Sequence, residues 1–150
     1  MEKLEVVGGK KLSGVLKISG SKNASLPILA ASLLSKKKIE LINLPQVKDI
    51  KTMLSLLESL GSRVKKVGKK TIIDNINQKK TEANYNIVRL MRGSFLVLGP
   101  LLAKFGKAKV SSPGGCSIGV RPIDIHLNAL TKLGVKIKIV DGYVIAKAPQ

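Results

Sequence analysis

Four residues stand where side chains can act on an anionic ligand. Lys22 lies in Gly20-Ser21-Lys22-Asn23, Arg92 in Met91-Arg92-Gly93-Ser94 and Arg121 in Val120-Arg121-Pro122-Ile123, each at the expected start of a helix. A cation in that position opposes the helix dipole. It becomes favourable when an anion sits between the free backbone N–H groups and the side chain. Three such places suggest one ligand with several negative charges; ordinary solvated cations are the alternative. The fourth residue is the single cysteine, Cys116, in Ser112-Pro113-Gly114-Gly115-Cys116-Ser117-Ile118-Gly119. Glycine-rich loops between a strand and a helix collect function. A thiol beside Arg121 and a helix start is expected to ionise more readily than a free one. An inert, buried cysteine is the alternative, but a loop so rich in glycine has little core to pack into.

The elements that must position these residues repeat along the chain. Val47-Lys48-Asp49-Ile50, Met53-Leu54, Leu57 and Leu60-Gly61 recur 73 residues later as Val120-Arg121-Pro122-Ile123, His126-Leu127, Leu130 and Leu133-Gly134. Apolar residues at i, i+3, i+4 and i+7 mark one helix face in each copy, and glycine after leucine marks a left-handed helix end. Strands are expected at Ser62 to Val67 and Val135 to Val140. Turns follow at Gly68-Lys69 and Asp141-Gly142, and return strands at Thr71 to Ile73 and Tyr143 to Ala146. Upstream, Pro27 to Leu34 and Ser94 to Leu102 are apolar nearly all round, as buried helices are. Each leads into a strand, Ile39 to Leu44 or Ala108 to Ser111. The fold expected is therefore α/β, two helix-strand-helix-strand-strand units over about 22–78 and 88–148. His126 takes the place of Met53, so a core or interface position is expected for it. Units of this kind bury their helices only against neighbours, and two copies leave the core open.

Composition limits the choices further. The 150 residues are 44% hydrophobic, which excludes a disordered basic tail despite a net charge of +18. The longest apolar runs, Leu26 to Leu34 and Phe95 to Ala103, fall well short of the roughly 20 residues of a membrane span. The mixed-charge start Met1-Glu2-Lys3-Leu4-Glu5 carries no apolar signal core, and a lone cysteine suits a reducing compartment, so a cytoplasmic chain is expected. Only Arg63, Arg89, Arg92 and Arg121 are arginines, aromatics are 3% and tryptophan is absent. Nucleic-acid binders pair a basic face with arginine readout or stacking rings. The lysine clusters therefore read as solvated surface, with a nucleic-acid-binding basic domain as the reading that charge alone favours. No cofactor and no metal are expected, for no metal-ligand cluster and no Ser/His/Asp set occurs.

At these residues the sequence resembles a known family, the UDP-N-acetylglucosamine 1-carboxyvinyltransferases. The resemblance is carried by Ile18-Ser19-Gly20-Ser21-Lys22-Asn23-Ala24-Ser25-Leu26-Pro27, by Met91-Arg92-Gly93-Ser94, and by Pro113-Gly114-Gly115-Cys116-Ser117-Ile118-Gly119-Val120-Arg121-Pro122-Ile123-Asp124. The cysteine loop separates this family from the sister enolpyruvyl transferase of shikimate metabolism. Ile125 and Ser25 depart conservatively, from leucine and alanine.

The resemblance implies an inside-out α/β barrel of repeated units. It also implies transfer of enolpyruvyl from phosphoenolpyruvate to the 3′-hydroxyl of UDP-N-acetylglucosamine, with loss of phosphate, as the first committed step of peptidoglycan synthesis. By the same resemblance Lys22 and Asn23 hold phosphoenolpyruvate. Arg92, Arg121, Pro122, Ile123, Asp124 and Ile125 contact the nucleotide sugar. Cys116 protonates or captures the enolpyruvyl group and is the residue that fosfomycin alkylates. Members have two similar domains of three units each. Residues 1–21 would then open the other domain, and 22–150 would supply two units of one. The downstream aspartate that acts as general base has no counterpart. The chain is accordingly expected to be an N-terminal fragment or truncated product, inactive alone, with the remainder of the enzyme completing its fold. A non-catalytic nucleotide-sugar-binding remnant is the alternative. Apolar faces left exposed on Pro27–Leu34 and Phe95–Leu102 would make it unstable or oligomeric.

Overall fold

The structure is a computed structural model that describes residues 3–112 and 123–149. Residues 3–20 form no strand and carry Leu4, Val7, Leu12 and Leu16 almost fully exposed. The first unit begins with α1 (Lys22–Ser32). Ser21 caps it: its Oγ accepts from the Ala24 N–H at 3.3 Å, and Ser25 Oγ donates to the Ser21 carbonyl at 2.7 Å. This satisfies part of the helix end that would otherwise lack partners. Strand β1 (Ile39–Ile42) leads to α2 (Lys48–Ser59). After α2, Gly61 adopts φ +103°, its N–H bonds to the Glu58 carbonyl at 2.9 Å, and the Ser62 N–H bonds to the Leu57 carbonyl at 3.0 Å. Such a close needs a left-handed residue, which glycine supplies without a Cβ clash. Strands β2 (Arg63–Val67) and β3 (Lys70–Asp74) form a hairpin, and the sheet runs β1-β3-β2 with antiparallel neighbours. Ile73 is the central buried side chain, opposite Ile39 on one side and Val64 on the other.

A short strand β4 (Glu82–Ala83) and the one-turn helix α3 (Tyr85–Val88) link the units. The second unit opens with a 3₁₀ helix (Arg92–Val97) that runs into α4 (Leu98–Phe105). Then come β5 (Lys107–Ser111), α5 (Asp124–Lys132), β6 (Lys136–Val140) and β7 (Tyr143–Lys147). The second sheet is β4-β5-β7-β6, with β4 parallel to β5 and the rest antiparallel. Helix α5 closes as α2 does: Gly134 has φ +86°, and the Val135 N–H bonds to the Leu130 carbonyl at 3.1 Å. The expected repeat is thus present, with strand ends shifted by one or two residues. Register adds a refinement. Ile42 faces Lys70 and Ser111 faces Tyr143, so the first strands of the two units are 69 residues apart while the hairpins keep the offset of 73. The connection from β5 to α5 is therefore longer than that from β1 to α2, and it is the segment that contains Cys116.

The core lies where the units meet. Leu29 of α1 and Leu33 just after it, Met53, Leu56 and Leu57 of α2, and Val97 and Leu101 of the second unit are fully buried in one cluster. This corrects the expectation of exposed faces on Pro27–Leu34 and Phe95–Leu102. The opening helices of the two units pack on each other and on α2, leaving Ile28 and Leu34 half exposed. Lys104 of α4 ties the units further, its Nζ donating to the Leu33 carbonyl and to Gln78 Oε1, both at 2.8 Å. Burial, with Lys36 nearby, pulls its pKa below the ordinary lysine value. Helix α5 is different, for none of its residues is buried. Leu60 is fully buried, whereas its repeat counterpart Leu133 is 73% exposed. In the first unit, α2 is covered by α3 and the 3₁₀ helix of the second, and among the described residues no corresponding helices cover α5.

Candidate active site

Three helix starts carry the site residues that fall within the described part of the chain. Lys22 and Asn23 are the first two residues of α1, both exposed. Pro27, four residues beyond Asn23, has no N–H to give to the Asn23 carbonyl. Gly20 sets the approach to this helix. A Cβ there would run into the Asn43 carbonyl in the turn after β1, and Asn43 itself holds φ +60°. Gly20→Ala is accordingly expected to cost about 1–2 kcal/mol of stability, the range for adding a methyl to a filled space. Denaturant titration of both chains checks this, and equal midpoints would contradict the close approach.

Lys22 does not stand alone. Its Nζ lies 2.9 Å from Asp49 Oδ2, in the first turn of α2. The start of α1 is thereby joined to the start of α2, a contact that sequence reasoning missed. The available signal was an acidic residue in the first helical turn in a chain with only nine acids.

Arg92 opens the 3₁₀ helix with its side chain in solvent. Gly93 beside it lies against α1, for an added Cβ would come 3.0 Å from Leu26 Cδ1. The adjoining Ser94 is fully buried, and its hydroxyl has no hydrogen-bond partner. Ile123 packs partly buried on the core, while Asp124 and Ile125 are exposed at the start of α5. Cys116, Arg121 and Pro122 lie outside the described residues. His126 is exposed instead of buried, with its ring edge-on to Phe95 at 6.4 Å and 85°. The core position drawn from Met53 is not found, because α5 lacks the neighbours that bury α2.

A groove of about 880 Å³ opens elsewhere, between residues 17–19, the turn after β1 and α2. Its rim includes Lys51, Lys66 and Lys69 over an apolar floor of Leu44, Ile50 and Leu54, and it takes in none of Lys22, Asn23, Arg92 or Asp124. Among the described residues no group of three His, Cys, Asp or Glu side chains could hold a metal ion. No helix among them is long and apolar enough to cross a membrane.

Known proteins match the chain over nearly all of its length. The UDP-N-acetylglucosamine 1-carboxyvinyltransferase of Pelagibacter ubique is 67% identical over 150 residues, all of this chain and 36% of that protein. The protein of the same name from Campylobacter fetus is 55% identical over 148 residues, covering 99% of this chain and 35% of its own length. The chain thus spans about 36% of the length of such relatives. Among solved structures, the enolpyruvyl transferase NikO from Streptomyces tendae superposes with a TM-score of 0.78 over 95% of this chain and 32% of its own. At 22% identity that likeness speaks for the fold, an enolpyruvyl-transferase arrangement of repeated units that does not close into a barrel among the described residues. The sequence profile of EPSP synthase (3-phosphoshikimate 1-carboxyvinyltransferase) matches residues 6–149. The chain belongs to the EPSP synthase family.

Proposed function

We propose that this chain supplies the first part of a UDP-N-acetylglucosamine 1-carboxyvinyltransferase. The observation that carries the reading is the 67% identity, over every residue of the chain, to a protein of that name. In the reaction, the sugar 3′-hydroxyl gives its proton to a base as its oxygen bonds to C2 of phosphoenolpyruvate, while a proton adds to C3. Loss of a C3 proton with cleavage of the C2–O bond to phosphate then restores the C2–C3 double bond, as the enol ether of the sugar. Lys22 and Asn23 hold phosphoenolpyruvate, whose carboxylate and phosphate need cations preset at the places where charge shifts. Arg92, Arg121, Pro122, Ile123, Asp124 and Ile125 hold the nucleotide sugar. Cys116 supplies the proton or captures the enolpyruvyl group, for which its thiol must titrate near working pH, and it is the residue fosfomycin would alkylate. The work belongs to peptidoglycan synthesis and so to the cytoplasm, where a lone cysteine stays reduced.

Residues 1–21 then open a second domain, and 22–150 give two of three units of the first. The exposed apolar side chains of residues 4–18 and the uncovered face of α5 support this division. The test is complementation. The chain alone, given both substrates, is expected to release no phosphate. Mixed with the part of the Pelagibacter ubique protein that follows its matching segment, it is expected to release phosphate until fosfomycin stops it, and Cys116→Ser is expected to abolish the release, because a hydroxyl does not titrate near working pH. Turnover by the chain alone would overturn the expected inactivity. Binding of UDP-N-acetylglucosamine without turnover in the mixture would favour a non-catalytic remnant.

A further inference from the structure

The ion pair between Lys22 and Asp49 joins two helix starts, yet it is not a device for stability. The Lys22 side chain is 47% exposed and that of Asp49 34%, and ion pairs so open to water add little to folding. What the pair fixes is the direction of the ammonium. A lysine stem is long and flexible, and its point charge carries no geometry of its own. Asp49 sits on a rigid mount, because α2 is anchored by Ile50, Met53, Leu54, Leu56 and Leu57, all buried. Its carboxylate is also at home in a first turn, where the helix dipole favours negative charge.

The repeat shows that the helix start does not require an acid at this position. Val47, Lys48 and Ile50 recur 73 residues later as Val120, Arg121 and Ile123, the same residue types in the same order, while Asp49 gives way to Pro122. Helix α5 carries its first-turn acid as Asp124 instead. The carboxylate at position 49, with its reach to Lys22, is therefore particular to the first unit.

We propose that Asp49 is a positioning residue, holding the Lys22 ammonium between the starts of α1 and α2 so that it is already aimed at an anionic group of phosphoenolpyruvate. This rests on the reading above that Lys22 binds phosphoenolpyruvate. A carboxylate this near also repels the incoming anion, so the sign of its effect is informative. Positioning predicts that its removal weakens binding, whereas repulsion predicts that removal tightens it.

The experiment uses the 150-residue chain complemented as above, with phosphoenolpyruvate as the probe in calorimetric titration and NMR relaxation of the Lys22 side chain. Asp49→Asn is expected to leave the unfolding midpoint unchanged and to raise the Kd roughly fivefold, the size of a modest pairwise coupling. It is also expected to loosen the Lys22 Cε, while Asp49→Glu recovers part of both effects. In a Lys22→Ala background, Asp49→Asn is expected to change nothing further. If Lys22→Ala weakens binding but Asp49→Asn does not, or tightens it, the positioning role is overturned and the reading of Lys22 stands. An unchanged Lys22 Cε in Asp49→Asn overturns it equally. If the wild-type chain binds no phosphoenolpyruvate, or Lys22→Ala binds as well as wild type, the reading of Lys22 falls and the proposal falls with it.

Discussion

Leu57→Ala is expected to lower the unfolding free energy by about 3 kcal/mol, while Leu130→Ala lowers it by about 1 kcal/mol or less. The two leucines occupy the same place in the repeat, 73 residues apart. Leu57 is fully buried on α2, which packs on α1 and the 3₁₀ helix, so truncation leaves a cavity as well as losing transfer energy. Leu130 is only partly buried against the edge of the core, on a helix with no buried residue. Water can fill the space its side chain leaves. Urea unfolding of the two variants, followed by circular dichroism, reads the difference directly. Equal losses would mean that α5 is covered in solution as α2 is. The contrast should narrow in the complemented assembly if a third unit packs on α5.

The second large effect falls on a buried polar knot. Asn75 follows β3 and is 1% exposed. Its Nδ2 donates to the Ser32 carbonyl at 2.7 Å, and its Oδ1 accepts from Ser62 Oγ at 2.6 Å. Ser32 ends α1, and its carbonyl also accepts from the Ser35 N–H at 3.1 Å. Asn75→Leu strands the Ser62 hydroxyl and removes one of the two donors to that carbonyl, in surroundings closed to water. A buried group left unpaired costs about 1–3 kcal/mol, so a loss of about 2 kcal/mol is expected in the same urea experiment. Adding Ser62→Ala should recover part of it by removing the stranded hydroxyl. A single-variant loss below about 1 kcal/mol would mean that water or another side chain replaces the amide. The knot holds the far end of the helix whose first turn carries Lys22 and Asn23, so on the proposal that these hold phosphoenolpyruvate its loss should also weaken that binding.

Much of the architecture was legible in residue types at short range. The spacing of Ile50, Met53, Leu54 and Leu57 marks α2 because a helix returns to the same face every 3.6 residues. Gly61 and Gly134 close their helices at positive φ, as expected where a Cβ would clash. The two-residue turns Gly68-Lys69 and Asp141-Gly142 set the hairpin registers. Strand β4 and helix α3 were not legible. Two residues pairing with β5 have no period to detect, and four residues of helix exceed their nucleation cost only through packing. The 3₁₀ start of the second unit was missed for a similar reason, since its tighter turn depends on the close approach of Gly93 to Leu26.

The candidate site divides along the same line. That Lys22 and Arg92 stand at helix starts follows from the residues themselves. That Lys22 meets Asp49, 27 positions away in the chain, does not follow, because it depends on how α1 and α2 cross. His126 and Leu133 make the point from the other side. They take the places of Met53 and Leu60, both fully buried, and the structure leaves both exposed. The chain by itself determined which segments are helix or strand, where they end and that they occur twice, because those choices rest on contacts between residues close in sequence. Only the tertiary structure decided which apolar faces are covered and which cation has a partner, because burial belongs to a side chain's neighbours and not to the side chain alone.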